Sequence, residues 1–389
     1  MKKHVLVLGG GFAGVEAAIR LQRTGKFSVT LVSDRAFLFL YPTSIWIPVR
    51  AMGFEGATVA LDEIARVHGF SVVVDKVTAI QSSGGVVRTE QHELRYDYLI
   101  VAIGADKLKP AGHEHTVSIC GKPEVSLEIR KRLDALVATG RGRIAVGFGG
   151  NPSDKSAVRG GPAFEFLFNV EHYLRKKGIR DAYDLTFFAP MPSPGERMGA
   201  RAVAMVGAMF GRLGIKKKYG VKISEFRPGV VAFEDGSVLE ADLIMFIPGN
   251  AGHPLLKGSD LPLTEAGFIR IDDTGLVEGF TNIYAVGDVA AIEGPEWRAK
   301  QGHIAEVMAR IAVANIVNAE NGSPERDGYQ KHLNILCLMD TGSGAALVYR
   351  DDRRQVVIPL PVVGHWMKKA WGSYARWTKT GKMIRVPGL

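Results

Sequence analysis

Cysteine is nearly absent from this 389-residue chain: only Cys120 and Cys337 occur. Two cysteines cannot staple a disulfide scaffold, and there is no C-x-x-C pair to hold zinc or run thioredoxin-type exchange. Such usage fits a reducing cytosol. Long apolar runs are missing too. None approaches the ~18 residues of a membrane-spanning helix, so a chain of this kind meets a membrane only by lying on it. No secretory leader fits, because a glycine motif already fills residues 9–14. Acidic residues are in the minority, 40 against 49 Lys and Arg, giving a net charge of +9. That excess favours anionic neighbours: lipid headgroups, nucleic acid or acidic substrates. No nucleic-acid recognition module is present, which sets that partner aside.

Glycine, by contrast, is abundant at 46 residues, and many glycines fall where a strand would turn into a helix. This is the mark of α/β architecture. In HVLVLGGGFAGVEAAIRLQ, Val5–Leu8 reads as a buried parallel strand and Val15–Leu21 has helical spacing. Between them, Gly9, Gly11 and Gly14 form G-x-G-x-x-G. The first glycine turns the chain, the second lets backbone approach a pyrophosphate, and the third lets helix pack on strand. The helix N-terminus then offers N–H groups and a positive dipole end to the phosphates. The second strand, FSVTLVSDR, should carry an acid for ribose hydroxyls. Ser33 stands at that position, so the ribose contact falls to Ser33 or shifts to Asp34.

Two later segments, YDYLIVAIGA (Tyr96–Ala105) and FTNIYAVGDVA (Phe280–Ala290), are strands ending in glycine turns. With the first motif they resemble, in order and separation, the FAD-binding flavoproteins of the pyridine nucleotide–disulfide oxidoreductase superfamily. The resemblance implies FAD as cofactor, with Asp288, after Gly287, on the ribityl chain. It also implies Pro42, Ala102 and Gly104 at the cofactor. The helix from about Gln301 buries Ile304, Val307, Met308, Ile311 and Ala312. By the same resemblance its N-terminus points at the flavin's pyrimidine edge, where the dipole and Lys300 stabilise negative charge.

A second G-x-G-x-x-G would be expected in the inserted domain of an NADH-using member. After the strand Arg143–Val146 come Gly147, Gly149 and Gly150, but Pro152 takes the place of the third glycine. Proline offers no N–H to a phosphate, and a polar loop over residues 153–159 delays the next helix. Residues Lys155 and Arg159 of that loop offer charge to an anion. The helix that follows opens with Gly161, Pro162, Phe164 and Glu165. These residues, the degenerate loop and the Lys300–Gln301–Gly302 turn resemble the sulfide:quinone oxidoreductases, a membrane-associated branch. The segments around Cys120 and Cys337 resemble that branch's first and last cysteine segments.

In that branch a redox-active cysteine pair stands beside the flavin. Cys337 matches one member; the other position is Arg159 here. Arginine stays protonated and cannot act as a nucleophile. Three readings remain open. Cys120 and Cys337 cooperate in place of the usual pair; Cys337 works alone as a low-pKa thiolate assisted by Arg159; or the sulfur chemistry is lost and another donor reduces the flavin.

The C-terminal segment PVVGHWMKKAWGSYARWTKT has helical periodicity. At ~100° per residue, Val363, Trp366, Met367, Ala370, Trp371, Tyr374, Trp377 and Thr378 fall on one side. Lys368, Lys369, Gly372, Ser373, Arg376 and Lys379 fall on the other. Trp opposed by Lys and Arg describes a helix lying in a bilayer interface, its cations on an anionic lipid surface. The bland alternative is packing on its own domain or on the mate of a homodimer.

The expected fold is α/β: two Rossmann-like domains, the second with a degenerate glycine loop, and a small C-terminal α+β region with an amphipathic helix. Residues 1–110 and 240–320 form the discontinuous FAD domain, 111–239 the second domain, and 321–389 the sheet and membrane-docking helix. The expected function is a peripheral membrane oxidoreductase on the cytoplasmic side. It passes electrons from a small reduced donor through FAD to membrane quinone. A type II NADH:quinone oxidoreductase and a non-catalytic flavin-binding subunit or sensor are the alternatives.

Overall fold

The computed structural model describes residues 2–384; the last five residues of the C-terminal segment lie outside the described residues. Strand β1 (Lys3–Leu8) turns through the glycine motif into helix α1 (Phe12–Arg23) and returns as β2 (Phe27–Ser33). β3 (Ser71–Val74) and β4 (Tyr98–Val101) follow. The chain then builds a second layer of β5 (Gly142–Phe148), α2 (Gly161–Lys176), β6 (Tyr183–Ala189), β7 (Lys216–Tyr219) and β8 (Leu243–Ile247). It comes back as β9 (Ile283–Ala285) and the long helix α3 (Gly302–Glu320). Three antiparallel strands, β10 (Ile335–Asp340), β11 (Gly344–Arg350) and β12 (Gln355–Pro361), lead into α4 (Val363–Lys379).

The first sheet has the order β9-β4-β1-β2-β3, and the second β7-β6-β5-β8. All of these pairings are parallel. Helices cover the sheets, so the inner strands β4 and β8 and the second half of β1 read as unbroken apolar runs rather than alternating ones. Val5, Leu6, Val7 and Leu8 are fully buried, as are Leu99, Ile100 and Val101 beside them.

The domain boundary expected at residue 240 falls one strand early. β8 pairs with β5 from Ile144↔Leu243 to Phe148↔Ile247. Its five buried residues complete the second sheet, and the chain re-enters the first layer only after it. An all-apolar strand carries no local mark of which parallel sheet it will join.

Candidate functional site

Three glycines set the geometry of the first turn. Gly9 has φ +111, and a Cβ there would overlap the Ala102 carbonyl just after β4. A Cβ on Gly14 would overlap the Gly9 carbonyl, so α1 packs on the strand only because no side chain intervenes. At Gly11 a Cβ would meet nothing within 4 Å, and the same holds at Gly104. Open space therefore faces the two positions where a cofactor's phosphates need bare backbone. α1 begins there with no acid in its first turn and no side-chain cap, leaving its positive end to a ligand.

At the end of β2, Ser33 is buried against the glycine loop: a Cβ on Gly10 would overlap its Oγ. Asp34 turns outward, 63% exposed, to Arg35 at 3.1 Å. Pro42 opens a one-turn helix, Tyr41–Ser44. Gly287, with φ +76, fits between α1 and α3; its Cβ would lie 3.3 Å from Ala13 and 3.2 Å from Ala305. Asp288 is thereby held where two helix N-termini converge, and α3 also begins without a first-turn acid or side-chain cap.

Asp288 pairs with Arg159. Burial pushes the Asp288 carboxyl up, but Arg159, Lys300 and Lys107 outweigh it and hold the group below its ordinary value. Lys300 is not a surface residue. It is buried and donates to the backbone carbonyls of Asp288, at 2.9 Å, and Ala290. It also stands 3.6 Å over the Phe268 ring. Burial lowers its pKa to about 8 despite Asp288. Its contacts make it a positioning residue that fixes the Gly-Asp turn.

The two thiols have different neighbours, and both are free. The assistance expected from Arg159 to Cys337 is not found, because the guanidinium pairs instead with Asp288 and lies 3.4 Å from the Lys300 carbonyl oxygen. Burial pushes the Cys120 thiol up, while Arg159 and Lys107 pull it back. Cys337, on β10, is pushed up to about 12 by burial and then by Glu165, against Lys368. It is a protonated thiol at neutral pH, not an activated thiolate. Lys155, expected near Arg159 as an anion contact, is 70% exposed and pairs with Glu296 at 2.9 Å.

The second glycine loop is packed shut. A Cβ on Gly249 would overlap the Gly150 backbone, and Asn151 Nδ2 donates to the Asn250 carbonyl at 2.8 Å. A Cβ on Gly147 would overlap the Phe188 carbonyl, and Phe188 stacks on Phe246 at 5.7 Å behind the loop. The next helix starts only at Gly161. This loop presents no cradle of the kind found at Gly11.

The C-terminal helix is oriented against its charge pattern. Gly364, Lys368, Gly372, Ala375, Thr378 and Lys379 are the buried residues of α4. The glycines allow close approach: a Cβ on Gly364 would lie 2.6 Å from Ala345, and one on Gly372 3.0 Å from Thr43. Lys368 pairs with Glu165, and Lys379 with Glu16 at 2.5 Å and Glu306 at 2.8 Å. Arg376 caps the carbonyls of Glu55, at 2.7 Å, and Gly56. These three cations therefore do not face lipid headgroups as expected. What faces outward is apolar: Trp366 at 64% exposed and Trp377 at 44%, with Met367, Val362, Val363 and Ile358.

Sequence reasoning missed Lys107, whose Nζ donates to Asn250; a lone lysine after a strand carries no motif. It also missed Lys368 and Lys379 as buried residues. Their signal was the Gly364–Lys368–Gly372 row at four-residue spacing, a small-residue stripe interrupted by charge.

Two parallel sheets, the first with converging helix N-termini and a glycine loop open for one dinucleotide, are the frame of a flavin-dependent oxidoreductase of the two-dinucleotide-domain class. The pyridine nucleotide-disulphide oxidoreductase family model matches residues 3–314, and the chain belongs to that family. It is an FAD-binding oxidoreductase, and the open space at Gly11 and Gly104 fits that group. A sulfide-quinone reductase of Aquifex aeolicus is 28% identical over 97% of this chain and 91% of its own length. The solved structure of the Aquifex aeolicus sulfide:quinone oxidoreductase superposes with TM-score 0.87 at 25% identity, covering 99% of this chain and 93% of that one. A type II NADH:quinone oxidoreductase of Staphylococcus saprophyticus is 22% identical over 90% of this chain and 91% of its own length.

Proposed function

We propose that this chain is a peripheral membrane oxidoreductase that takes electrons from a small reduced donor and delivers them to quinone dissolved in the bilayer. It would work at the cytoplasmic face. The observation that carries the reading is the inverted α4, whose Lys368 and Lys379 are buried in ion pairs while Trp366, Met367 and Trp377 face outward. A contiguous exposed apolar face is a docking surface, and tryptophan suits the interfacial depth of a bilayer. Quinone is a lipid-soluble acceptor, so its reductase must sit where this face would place it.

FAD, bound along Gly9, Gly11, Gly14, Ser33 and Asp288, would supply two-electron exchange between donor and acceptor. The chain's own residues would do the rest. Lys300 would hold the Gly-Asp turn. Arg159 would keep Asp288 ionised. The shut loop at Gly147–Asn151 would leave the middle domain to wall the donor side instead of binding a nucleotide. Both thiols lie above their ordinary pKa, which favours a donor route without a thiolate relay.

The test has two arms. Anaerobic holoprotein is offered sulfide, sulfane sulfur, NADH and NADPH in turn, then a short-chain quinone; bleaching and recovery of the flavin spectrum identify the donor and acceptor. Bleaching by NADH within the mixing time would favour the type II NADH reading. Co-sedimentation with anionic liposomes should fall by about tenfold or more in Trp366→Asp/Trp377→Asp, since each buried large apolar side chain contributes ~1.5–3 kcal/mol. If the double variant instead abolishes dimer formation and wild type ignores liposomes, α4 faces a second copy.

A further inference from the structure

The positive charge expected on the lipid side of α4 is displaced, not lost. From Arg353 to the C-terminus the sequence holds eight Lys and Arg and no Asp or Glu, against a net charge of +9 for the whole chain. Lys368 and Lys379 are buried in ion pairs, and Arg376 holds backbone carbonyls. Lys382 pairs with Glu63 at 3.4 Å, and Asp351 and Asp352 balance Arg353 and Arg354 in one turn. Lys369 has no acid partner among the described residues; its ammonium stands 5.3 Å from the Trp366 ring and 5.9 Å from the Trp46 ring. Two more lysines reach the same rim from the second domain. On α2, His172 lies against the turn between β10 and β11, where a Cβ on Gly342 would overlap it. Ser343 of that turn accepts a hydrogen bond from Val362 N at 3.1 Å, so α4 starts beside α2. Lys176 is four residues beyond His172 on the same helix face, ~5–6 Å further on, and Lys177 follows it at the helix end. Both are exposed, and Lys177 stands 5.2 Å from the Tyr173 ring. The nearby acids do not cancel them. Glu171 is shared between Arg175 at 3.2 Å and Arg180 at 4.0 Å, and Asp184 pairs with Lys216 at 2.7 Å. That leaves Asp181 and the helix C-terminus, which is worth about half a negative charge. Between Lys176 and Lys369 lie the exposed Val362, Val363 and Trp366.

We propose that Lys176, Lys177 and Lys369 form a headgroup site for anionic phospholipid along the apolar rim of α4, so that the second domain and the C-terminal helix rest on one membrane. This rests on the reading that α4 docks on a bilayer. Ammonium groups that border exposed tryptophan and valine match a layer in which phosphates border acyl chains. A nucleic acid supplies phosphates without the adjoining oil, and the apolar strip would stay in water against it. The lysines add a selection that the apolar face alone cannot make: oil contact is the same on any lipid, whereas unpaired cations favour the anionic ones.

FAD-loaded protein is sedimented with vesicles of phosphatidylcholine and with vesicles of phosphatidylcholine mixed with phosphatidylglycerol, and a short DNA duplex is titrated alongside. Wild type partitions about 10- to 100-fold more strongly into the anionic vesicles, the span these lysines carry at a charged surface, and added salt erodes the preference. Lys176→Gln/Lys177→Gln/Lys369→Gln loses the preference, still binds phosphatidylcholine, and keeps its flavin and its reoxidation by a short-chain quinone. Equal partitioning of wild type into the two vesicles overturns the headgroup site and leaves α4 docking standing, and so does a preference unchanged in the triple variant. Duplex DNA bound as tightly as the anionic vesicles overturns the lipid assignment. If wild type ignores phosphatidylcholine while Trp366→Asp/Trp377→Asp keeps the anionic preference, the apolar docking reading fails and the headgroup site stands. Wild type that ignores both vesicles overturns both.

Discussion

Lys379 ties α4 to the flavin frame, and its removal gives the sharpest stability test. The ammonium is 5% exposed and lies 2.5 Å from Glu16 on α1 and 2.8 Å from Glu306 on α3. Deleting one member of a buried ion cluster costs ~3–5 kcal/mol, because the opposite charge stays buried. Glu16 keeps Arg20 at 2.6 Å, which places Lys379→Met at the low end, about 3 kcal/mol. The double variant Lys379→Met/Glu306→Gln also lowers the negative charge left at the site and should recover about 1 kcal/mol or more. The control is Lys369→Met, at the partly exposed position over the Trp46 and Trp366 rings, where a loss of about 0.5–1 kcal/mol is expected. Urea denaturation followed by far-UV circular dichroism and by release of flavin fluorescence measures all three. A loss below about 0.5 kcal/mol in Lys379→Met would refute the claim that this triad holds α4 to α1 and α3.

Cys337→Ser should leave quinone reduction within about twofold, because a thiol pushed up to about 12 is almost wholly protonated at neutral pH; a hundredfold loss in steady-state turnover would restore a sulfur relay. Lys300 binds its proton less tightly when folded, at about 8 against an ordinary 10.5. Between those values the unfolded chain holds more protons than the native one, so stability rises with pH there. The rise amounts to about 3 kcal/mol at most, and denaturation midpoints from pH 7.5 to 10.5 should show it flattened in Lys300→Met.

The flavin frame was legible because its signals are local. Gly9, Gly11 and Gly14 each answer a steric demand within a few residues, and the flanking strands are continuous apolar runs. The degenerate second loop was legible for the same reason, through Pro152. What the sequence concealed was long-range charge. The helical period of α4 was plain, but not which stripe faces inward, because the partners of Lys368 and Lys379 lie 203 and 363 positions away. Arg159 was placed by resemblance beside Cys337, yet a buried guanidinium follows the nearest carboxylate, and Asp288 lies on the other side. β8 was assigned to the wrong layer because the five apolar residues Leu243–Ile247 suit either parallel sheet equally.

The inverted C-terminal helix has a practical corollary. Lys368 and Lys379 sit inside while Trp366 and Trp377 stand in water, so α4 gives the free chain an oily rim. If that rim meets lipid as proposed, added detergent should raise the share of monodisperse protein. Yield after extraction should then depend on the amphiphile more than on salt or temperature.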